Sequence, residues 1–250
     1  MKNWIFLGMI VLFIMGCKST IYVANTDLTY NRVATLEDDF DAEIEQIILP
    51  YRKELKATMD EVIGELTVDL VKEKPESNIG NWLADMFFEE ARLMTDGDLD
   101  FAVQNHGGVR VNSMGAGPIT TGKVFEVMPF DNKVVIIKTD SSGLVSFLNH
   151  IAEGGGWPIS KNLKFEIVDD LAVNITIRGL PIDSESSYSF AVPDYIANGG
   201  SGSNMLKSME RIEVDELIRD LFIRHIKSDS DQGVKQFAEV EGRITIRDHE

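Results

Sequence analysis

The chain has 250 residues, 44% of them hydrophobic, so it is long enough to bury one large core or two small ones. Its 41 acidic residues outnumber the 24 basic ones and give a formal net charge of −17. Because this charge repels phosphate backbones and no long basic run interrupts it, the composition argues against a polynucleotide-binding protein. A small anion could still bind where a few cations and backbone N–H groups converge.

The N-terminus has the form of an export signal. Lys2 precedes an apolar run from Trp4 to Met15, which is too short for a comfortable membrane span. The run leads through Gly16 into Cys17, as in a bacterial lipoprotein cleavage site. We therefore predict a lipoprotein signal peptide over residues 1–16.

Cys17 is the only cysteine of the chain, which excludes intramolecular disulfides. The position after an export signal favours lipidation of Cys17, and the alternative is a buried, inert thiol. Lipidation would anchor the protein in the bacterial cell envelope, as a periplasmic or outer-membrane lipoprotein. Residues 18–35 show no periodicity and are predicted to form a tether.

A folded domain is predicted over residues 36–250. It begins with a long amphipathic helix over Leu36–Ile63, in which Pro50 predicts a kink. A strand at Glu65–Val71 and a helix at Glu76–Met94 follow.

After residue 94 the pattern mixes strands and helices. Further strands are predicted at Leu99–Asn105, Lys133–Thr139, Leu163–Val168, Ala172–Arg178, Tyr188–Pro193 and Arg243–Arg247. Further helices are predicted at Thr121–Val127, Ser142–Glu153 and Val214–Ile226. Only Asp169, Asp170 and Leu171 separate two of the strands, which indicates a hairpin. The sheet is therefore not purely parallel, and the fold class is α+β or mixed α/β.

Four segments combine glycine with polar residues in a way that a packed core does not need. They are residues 76–81, 104–110, 128–132 and 193–202. Glycine lets the backbone approach a ligand closely, and asparagine supplies both a donor and an acceptor. Taken singly, each segment is also typical of a simple turn.

Taken together and in order, these segments resemble the C-terminal domain of the 5'-nucleotidase family, which includes UDP-sugar hydrolases and ecto-5'-nucleotidases. The family's Glu-x-Asn-x-Gly-Asn corresponds to Glu76–Asn81, and its Asn-Gly-Gly-Gly-Ile-Arg to Asn105–Arg110. Its Gly-x-Ile-Thr corresponds to Gly117–Thr120, and its Pro-Phe-Gly-Asn to Pro129-Phe130-Asp131-Asn132. Its Asn-Phe-Leu-Ala-x-Gly-Gly-Asp-Gly corresponds to Asp194–Gly202. The resemblance implies a mixed sheet with helices, preceded by a long N-terminal helix.

The resemblance also implies a substrate site. It makes Phe130 and Tyr195 a pair that stacks on a nucleobase, with Arg110 and Asn105 as polar contacts. Such stacking suits any base, and a guanidinium forks onto phosphate or carboxylate oxygens. The remaining residues of the implied site are Asn132, Ser201, Gly107, Gly108, Gly199 and Gly200. Without the family, the two rings could be core aromatics, and Arg110 a surface ion-pair partner.

Three positions depart from the family's pattern. Ser201 stands where the family has an aspartate that meets the sugar or base, so sugar recognition is expected to change. Glu73, flanked by Lys72 and Lys74, stands where the family has an arginine. His106 replaces a glycine and adds bulk to its loop.

The family's catalytic half has no counterpart in the sequence. Family enzymes hold two metal ions in an N-terminal calcineurin-like domain, whose ligands come from Asp-x-His, Gly-Asn-His-Asp/Glu and paired histidines. The four histidines here are His106, His150, His225 and His249, and they form neither Asp-x-His nor His-x-His. Motifs of serine hydrolases and phosphate-binding loops are also absent. We therefore predict no catalytic residue, metal site or cofactor in this chain.

Three interpretations stay open. The chain could be the nucleotide-recognition subunit of a split 5'-nucleotidase, with the divalent metal pair in a separate metallophosphatase partner. It could instead be a stand-alone lipoprotein that binds nucleosides or nucleotides, or a degenerate structural lipoprotein. A neighbouring gene for an exported metallophosphatase would favour the first. In each case the lipid anchor would attach the protein to the membrane, with no nucleic acid polymer as partner.

Overall fold

The computed structural model describes residues 42–247. The predicted signal peptide, Cys17, the tether and the first residues of the predicted long helix lie outside this range. Within it, helix α1 spans Ala42–Met59 and contains Pro50. No helix in residues 42–247 has the length and apolarity that crossing a membrane requires.

The described chain alternates helices with short and long strands. After α1 the helices are α2 (Asn78–Leu93), α3 (Thr121–Val127), α4 (Ser141–Glu153), α5 (Asp194–Ala197) and α6 (Ile218–Asp231). The strands are β1 (Val62–Leu66), β2 (Leu70–Val71), β3 (Phe101–Ala102), β4 (Ser113–Met114), β5 (Gly117–Thr120), β6 (Lys133–Asp140), β7 (Leu163–Val168), β8 (Leu171–Ile177), β9 (Leu180–Pro181), β10 (Ser187–Pro193), β11 (Glu210–Leu217) and β12 (Ile244–Ile246). This is the mixed α and β class that the sequence predicts.

A four-stranded sheet of order β11-β6-β10-β3 forms the centre of the compact unit that begins at Ile47. Strand β10 runs antiparallel to β6, so Pro193 at the end of β10 pairs with Val134 at the start of β6. Strand β3 runs parallel to β10 and ends at the same edge of the sheet. The segments after β3, before β6 and after β10 therefore meet at one edge.

Both faces of this sheet are buried at its inner strands, β6 and β10. Val134 and Ile136 of β6 pack into one core with α2 and α6, while Val135 and Ile137 pack into a second core with α4. Alternate residues of a strand point to opposite faces, so the apolar run of β6 serves both cores. In the second core the ring of Phe190 stacks between two other phenylalanines, with ring centroids 5.0 and 5.2 Å away. Packing on both faces thus holds the inner strands in place, and the loops meet at one end of these strands.

A second four-stranded sheet has the order β12-β7-β8-β9. Strands β7 and β8 form the predicted antiparallel hairpin. Asp169 and Asp170 make its turn with φ of 50° and 61°, the left-handed conformation that two-residue hairpin turns need and that aspartate tolerates. The hairpin prediction is confirmed.

The start of α2 shows why the sequence folds as it does near the first glycine-bearing segment. The Ser77 hydroxyl accepts a hydrogen bond from the backbone N–H of Gly80 at 3.2 Å. Such an N-cap typically stabilises a helix by about 1 kcal/mol. The cap fixes the helix start at Asn78, two residues later than predicted.

Some element boundaries differ from the prediction. The predicted helix at Val214–Ile226 is wrong in its first turn, because β11 continues to Leu217 and α6 begins at Ile218. Strand β11 is an edge strand that pairs with β6, and most of its residues are exposed. Its apolar and polar residues therefore alternate only weakly, and the helical spacing of the next residues dominates the prediction. The predicted strand at Glu65–Val71 is two short strands, β1 and β2.

Candidate functional site

A cleft of about 330 Å³ opens where the three loops meet at the edge of the central sheet. Its lining contains eight of the ten residues that the sequence predicts for the substrate site. These are Asn105, Gly107, Gly108, Arg110, Phe130, Asn132, Tyr195 and Ser201. The other two, Gly199 and Gly200, belong to the loop that carries Ser201.

Gly200 leaves room for the ring of Tyr195, which lines the cleft. A Cβ atom at this position would come within 2.5 Å of both the Tyr195 ring and the Tyr195 carbonyl oxygen. Real Cβ atoms do not approach other atoms so closely, so only glycine leaves room for the ring of Tyr195. The glycine at position 200 is therefore explained by the position of the aromatic side chain.

The two predicted stacking rings are not core aromatics. Phe130 is 40% exposed and Tyr195 is 50% exposed, although large aromatic side chains are usually well buried. The Tyr195 hydroxyl accepts a hydrogen bond from the Ser201 N–H at 3.2 Å, which ties the ring to the glycine-bearing loop. Two exposed rings on the wall of one cleft present apolar faces to a ligand.

Arg110 has no carboxylate partner in the described part of the chain. Its guanidinium lies 5.6 Å from the centroid of the Phe130 ring and donates weakly to the Gly107 carbonyl at 3.4 Å. Other arginines do pair with carboxylates; these are Arg92, Arg178, Arg211, Arg219, Arg224, Arg243 and Arg247. In a chain of net charge −17, an unpaired guanidinium on a cleft wall is available for an anion.

Asn105 and Ser201 meet inside the cleft. Asn105 is buried, and its side-chain amide lies 3.5 Å from the Ser201 hydroxyl, to which it donates. Ser201 adopts a left-handed φ of 52°, and its carbonyl oxygen lies 2.9 Å from the ring Nε2 of His150. The Ser201 hydroxyl, which stands where the family has an aspartate, thus contacts the asparagine of the Asn105–Arg110 motif.

One flank of the cleft is positively charged. The Lys72 ammonium donates to the Val109 carbonyl at 2.7 Å. Its pKa is lowered by burial and by the nearby charges of Arg110 and Lys74. Burial together with Lys72 and Lys74 lowers the pKa of His106 to about 4, so this imidazole is neutral at physiological pH. Arg110, Lys72 and Lys74 therefore form a cluster of positive charge. The exposed Glu73 lies between the two lysines in the sequence.

The two-metal centre of family enzymes does not fit the residues that the structure describes. No group of three or more His, Cys, Asp or Glu side chains within residues 42–247 is placed to hold a metal ion. His106 lies between the lining residues Asn105 and Gly107 in the sequence, and its two lysine neighbours, Lys72 and Lys74, disfavour a metal cation there.

A second cleft, of about 440 Å³, lies beside β1 and β5. It is larger, but it contains none of the predicted site residues and no aromatic side chain. Ligand sites combine apolar or aromatic walls with a few convergent polar groups, and size alone does not define them. The cleft at the sheet edge is therefore the better candidate.

The fold and the cleft define a mixed α and β domain with a ligand-sized cleft at the edge of its central sheet. Residues 62–208 match the family model of the 5'-nucleotidase C-terminal domain, so the chain belongs to that family. The prediction of this family from the glycine-bearing motifs is confirmed.

Known relatives are considerably longer than this chain. It is 32% identical over 131 residues to a 5'-nucleotidase of Vibrio parahaemolyticus, covering 51% of this chain and 22% of the relative. It is 29% identical over 165 residues to protein UshA of Escherichia coli, covering 62% of this chain and 29% of the relative. A 5'-nucleotidase precursor of Thermus thermophilus has a similar structure, with a TM-score of 0.69 and 28% identity, covering 81% of this chain and 42% of that one. The chain thus spans less than half of these relatives.

Sequence reasoning did not find Arg219 of α6. This buried side chain contacts the Phe130 carbonyl and the Asp131 carboxylate, although it lies 89 residues after Phe130. No motif contains it, because the contact depends on tertiary packing. The only signal was its partner, Asp131, which stands where the family motif has glycine.

Proposed function

We propose that this protein is the nucleotide-recognition subunit of a split 5'-nucleotidase. The observation that carries the proposal is the cleft itself, which combines two half-exposed rings with a guanidinium that no carboxylate neutralises. The rings suit the two faces of a nucleobase, and the guanidinium suits a phosphate. A nucleoside monophosphate offers both groups in one small ligand.

The division into two proteins is supported by the side chains that the structure describes. The family resemblance implies that the two metal ions are held in an N-terminal calcineurin-like domain, whereas residues 42–247 contain no group of three or more His, Cys, Asp or Glu side chains placed to hold a metal ion. We infer that a separate metallophosphatase supplies the metal pair and the hydrolytic water. In the complex, this chain would bind and orient the base, and the partner would cleave the phosphate ester.

A stand-alone nucleotide-binding lipoprotein is the second candidate. The observations that favour it are the two departures from the family's pattern, with Ser201 in place of an aspartate and Glu73 in place of an arginine. In that case the protein would capture nucleotides and release them unchanged.

Purification of the protein with its partners from native membranes tests the proposal. We expect a metallophosphatase to co-purify, the complex to hydrolyse adenosine monophosphate with Mn²⁺, and this chain alone to show no turnover. Arg110→Met should slow nucleotide hydrolysis by the complex, whereas Arg92→Met, which changes a surface arginine outside the cleft lining, should not.

A Cys17→Ser form tests the lipid anchor separately. If this form remains in the membrane fraction, the result would count against lipidation of Cys17.

Two results separate the candidates. Nucleotide binding by this chain with no co-purifying phosphatase would favour the stand-alone binder. Metal-dependent hydrolysis by this chain alone would contradict the split enzyme.

A further inference from the structure

The residue after Phe130 departs from the family motif. The motif Pro-Phe-Gly-Asn places glycine there, and this chain has Asp131. The Asp131 side chain is 76% exposed, yet its carboxylate lies 2.6 Å from a guanidinium nitrogen of Arg219. An exposed acid in this position is thus bound to a buried base.

Arg219 is held in place on several sides. Its side chain is only 8% exposed, and its guanidinium carbon lies 4.0 Å from the centroid of the Phe125 ring in α3. A second guanidinium nitrogen donates to the Phe130 carbonyl at 3.4 Å, while Nε is buried and has no partner. Asp131 is therefore the group that neutralises this buried charge.

The first two residues of α6 hold three consecutive residues of the loop. Ile218 N–H donates to the Asn132 carbonyl at 2.9 Å, and Arg219 contacts both Phe130 and Asp131. The ring of Phe130 itself is 40% exposed, so core packing alone does not fix its position. Its place on the cleft wall depends on how firmly its backbone is held.

We propose that Asp131 and Arg219 are positioning residues that hold Phe130 in the orientation the cleft needs for a flat ligand. The effect on ligand affinity rests on the proposed function, whereas the effect on the ring does not. Without the carboxylate, the buried guanidinium keeps only uncharged partners, which include the Phe130 carbonyl and the Phe125 ring, and it turns toward water to recover hydration. The Phe130 ring then samples more orientations, and a ligand must order it on binding.

The test uses Asp131→Asn, which keeps the size of the side chain and removes its charge. We expect isothermal titration calorimetry to show that adenosine binds about 3- to 10-fold more weakly. This loss is toward the lower end of the interaction free energies typical of contacting residues. The matched control is Asp215→Asn. It removes the similarly short Lys133–Asp215 ion pair (2.5 Å) at the start of β6, the strand that follows the Phe130 loop. The control should leave adenosine affinity unchanged.

A double-mutant cycle separates positioning from general damage. Combined with Phe130→Ala, Asp131→Asn should have no further effect on adenosine affinity, because the ring that it positions is gone. Additive losses in the cycle would overturn the proposal, and so would an unchanged affinity of Asp131→Asn alone.

A ligand-free measurement keeps the proposal independent of what the cleft binds. In a Phe130→Trp protein that also carries Trp4→Phe, the new indole replaces a ring that is 40% exposed, whereas Trp82 and Trp157 are buried. Adding Asp131→Asn should increase acrylamide quenching and speed the anisotropy decay of this indole; identical decays would refute the positioning role. If the ring is released but the parent protein binds no adenosine, the positioning role stands and the proposed function fails.

Discussion

At the scale of single residues, Tyr195 and Phe130 are placed by different means. The Tyr195 hydroxyl is bonded to the Ser201 N–H, and Gly200 leaves space behind the ring. Phe130 has no polar group of its own, and its backbone is held by Arg219. Both rings remain about half exposed, which is costly in water and is explained if a ligand covers them.

Removing either ring should weaken ligand binding. We expect Phe130→Ala and Tyr195→Ala each to reduce the binding free energy of adenosine by about 1 to 3 kcal/mol, because each deletes one stacking face. Isothermal titration calorimetry measures this directly. Phe237→Ala is the matched control, since Phe237 is 55% exposed and lies outside the cleft lining. Equal affinity in all three variants and the parent would exclude base stacking.

At the scale of elements, the interface of α2 and α6 contains an ionisable pair in which Glu90 is buried and His225 is partly buried. His225 Nδ1 lies 3.0 Å from Glu90, which also accepts two hydrogen bonds from Arg224. The hydrogen bond with Glu90 raises the pKa of His225 against the opposing effect of burial. Burial would raise the pKa of Glu90, but the hydrogen bonds from His225 and Arg224 outweigh it and lower that pKa. The pair is therefore most stable when both groups are charged.

This pair predicts a loss of stability as the pH rises through the raised pKa of His225. The folded state binds the His225 proton more tightly than the unfolded state, so the stabilisation is complete below the unfolded pKa of about 6.5. It is lost as the pH rises through the higher folded pKa of His225. We expect the thermal unfolding midpoint to fall over this range, and the fall to be smaller in His225→Gln.

His150→Gln is the control for that measurement, since it leaves the Glu90 pair intact and should keep the parent's slope. The explanation would be wrong if His225→Gln and the parent lost stability equally with pH.

The sequence predicted the elements with strong periodicity and missed those set by pairing. Helices α2, α3 and α4 and strands β6, β7, β8 and β10 lie within two residues of their predicted bounds, because each has a continuous apolar pattern. Strand β5 was not predicted, since its four residues, Gly117–Thr120, become a strand only by pairing with β1. The start of α6 was misplaced because the exposed edge strand β11 merges into it.

Eight of the ten residues predicted for the candidate site line one cleft, and the sequence could indicate them because their motifs are local. Asn105, Phe130 and Tyr195 each lie in a short glycine-bearing segment, and the register of the central sheet brings the three segments together. The Arg219 contact could not be predicted, because it joins a loop to a helix far along the chain. Motifs reveal which loops form a site, whereas only the fold reveals what holds them.

At the scale of the whole molecule, the chain is a domain of the 5'-nucleotidase C-terminal family, for which we propose a lipid tether. The matched family region ends at residue 208, and β11, α6 and β12 follow it and complete the sheets and the core. The export signal, Cys17 lipidation and the residue-36 domain boundary lie outside the described residues and stay predictions. A subunit fixed at the membrane would present its cleft to a partner in the same compartment.

A crystal structure of the protein with adenosine monophosphate tests the central claim most directly. We predict that the base lies between the rings of Phe130 and Tyr195 and that the phosphate extends toward Arg110. A nucleotide bound at another surface, with the two rings uncovered, would contradict the account.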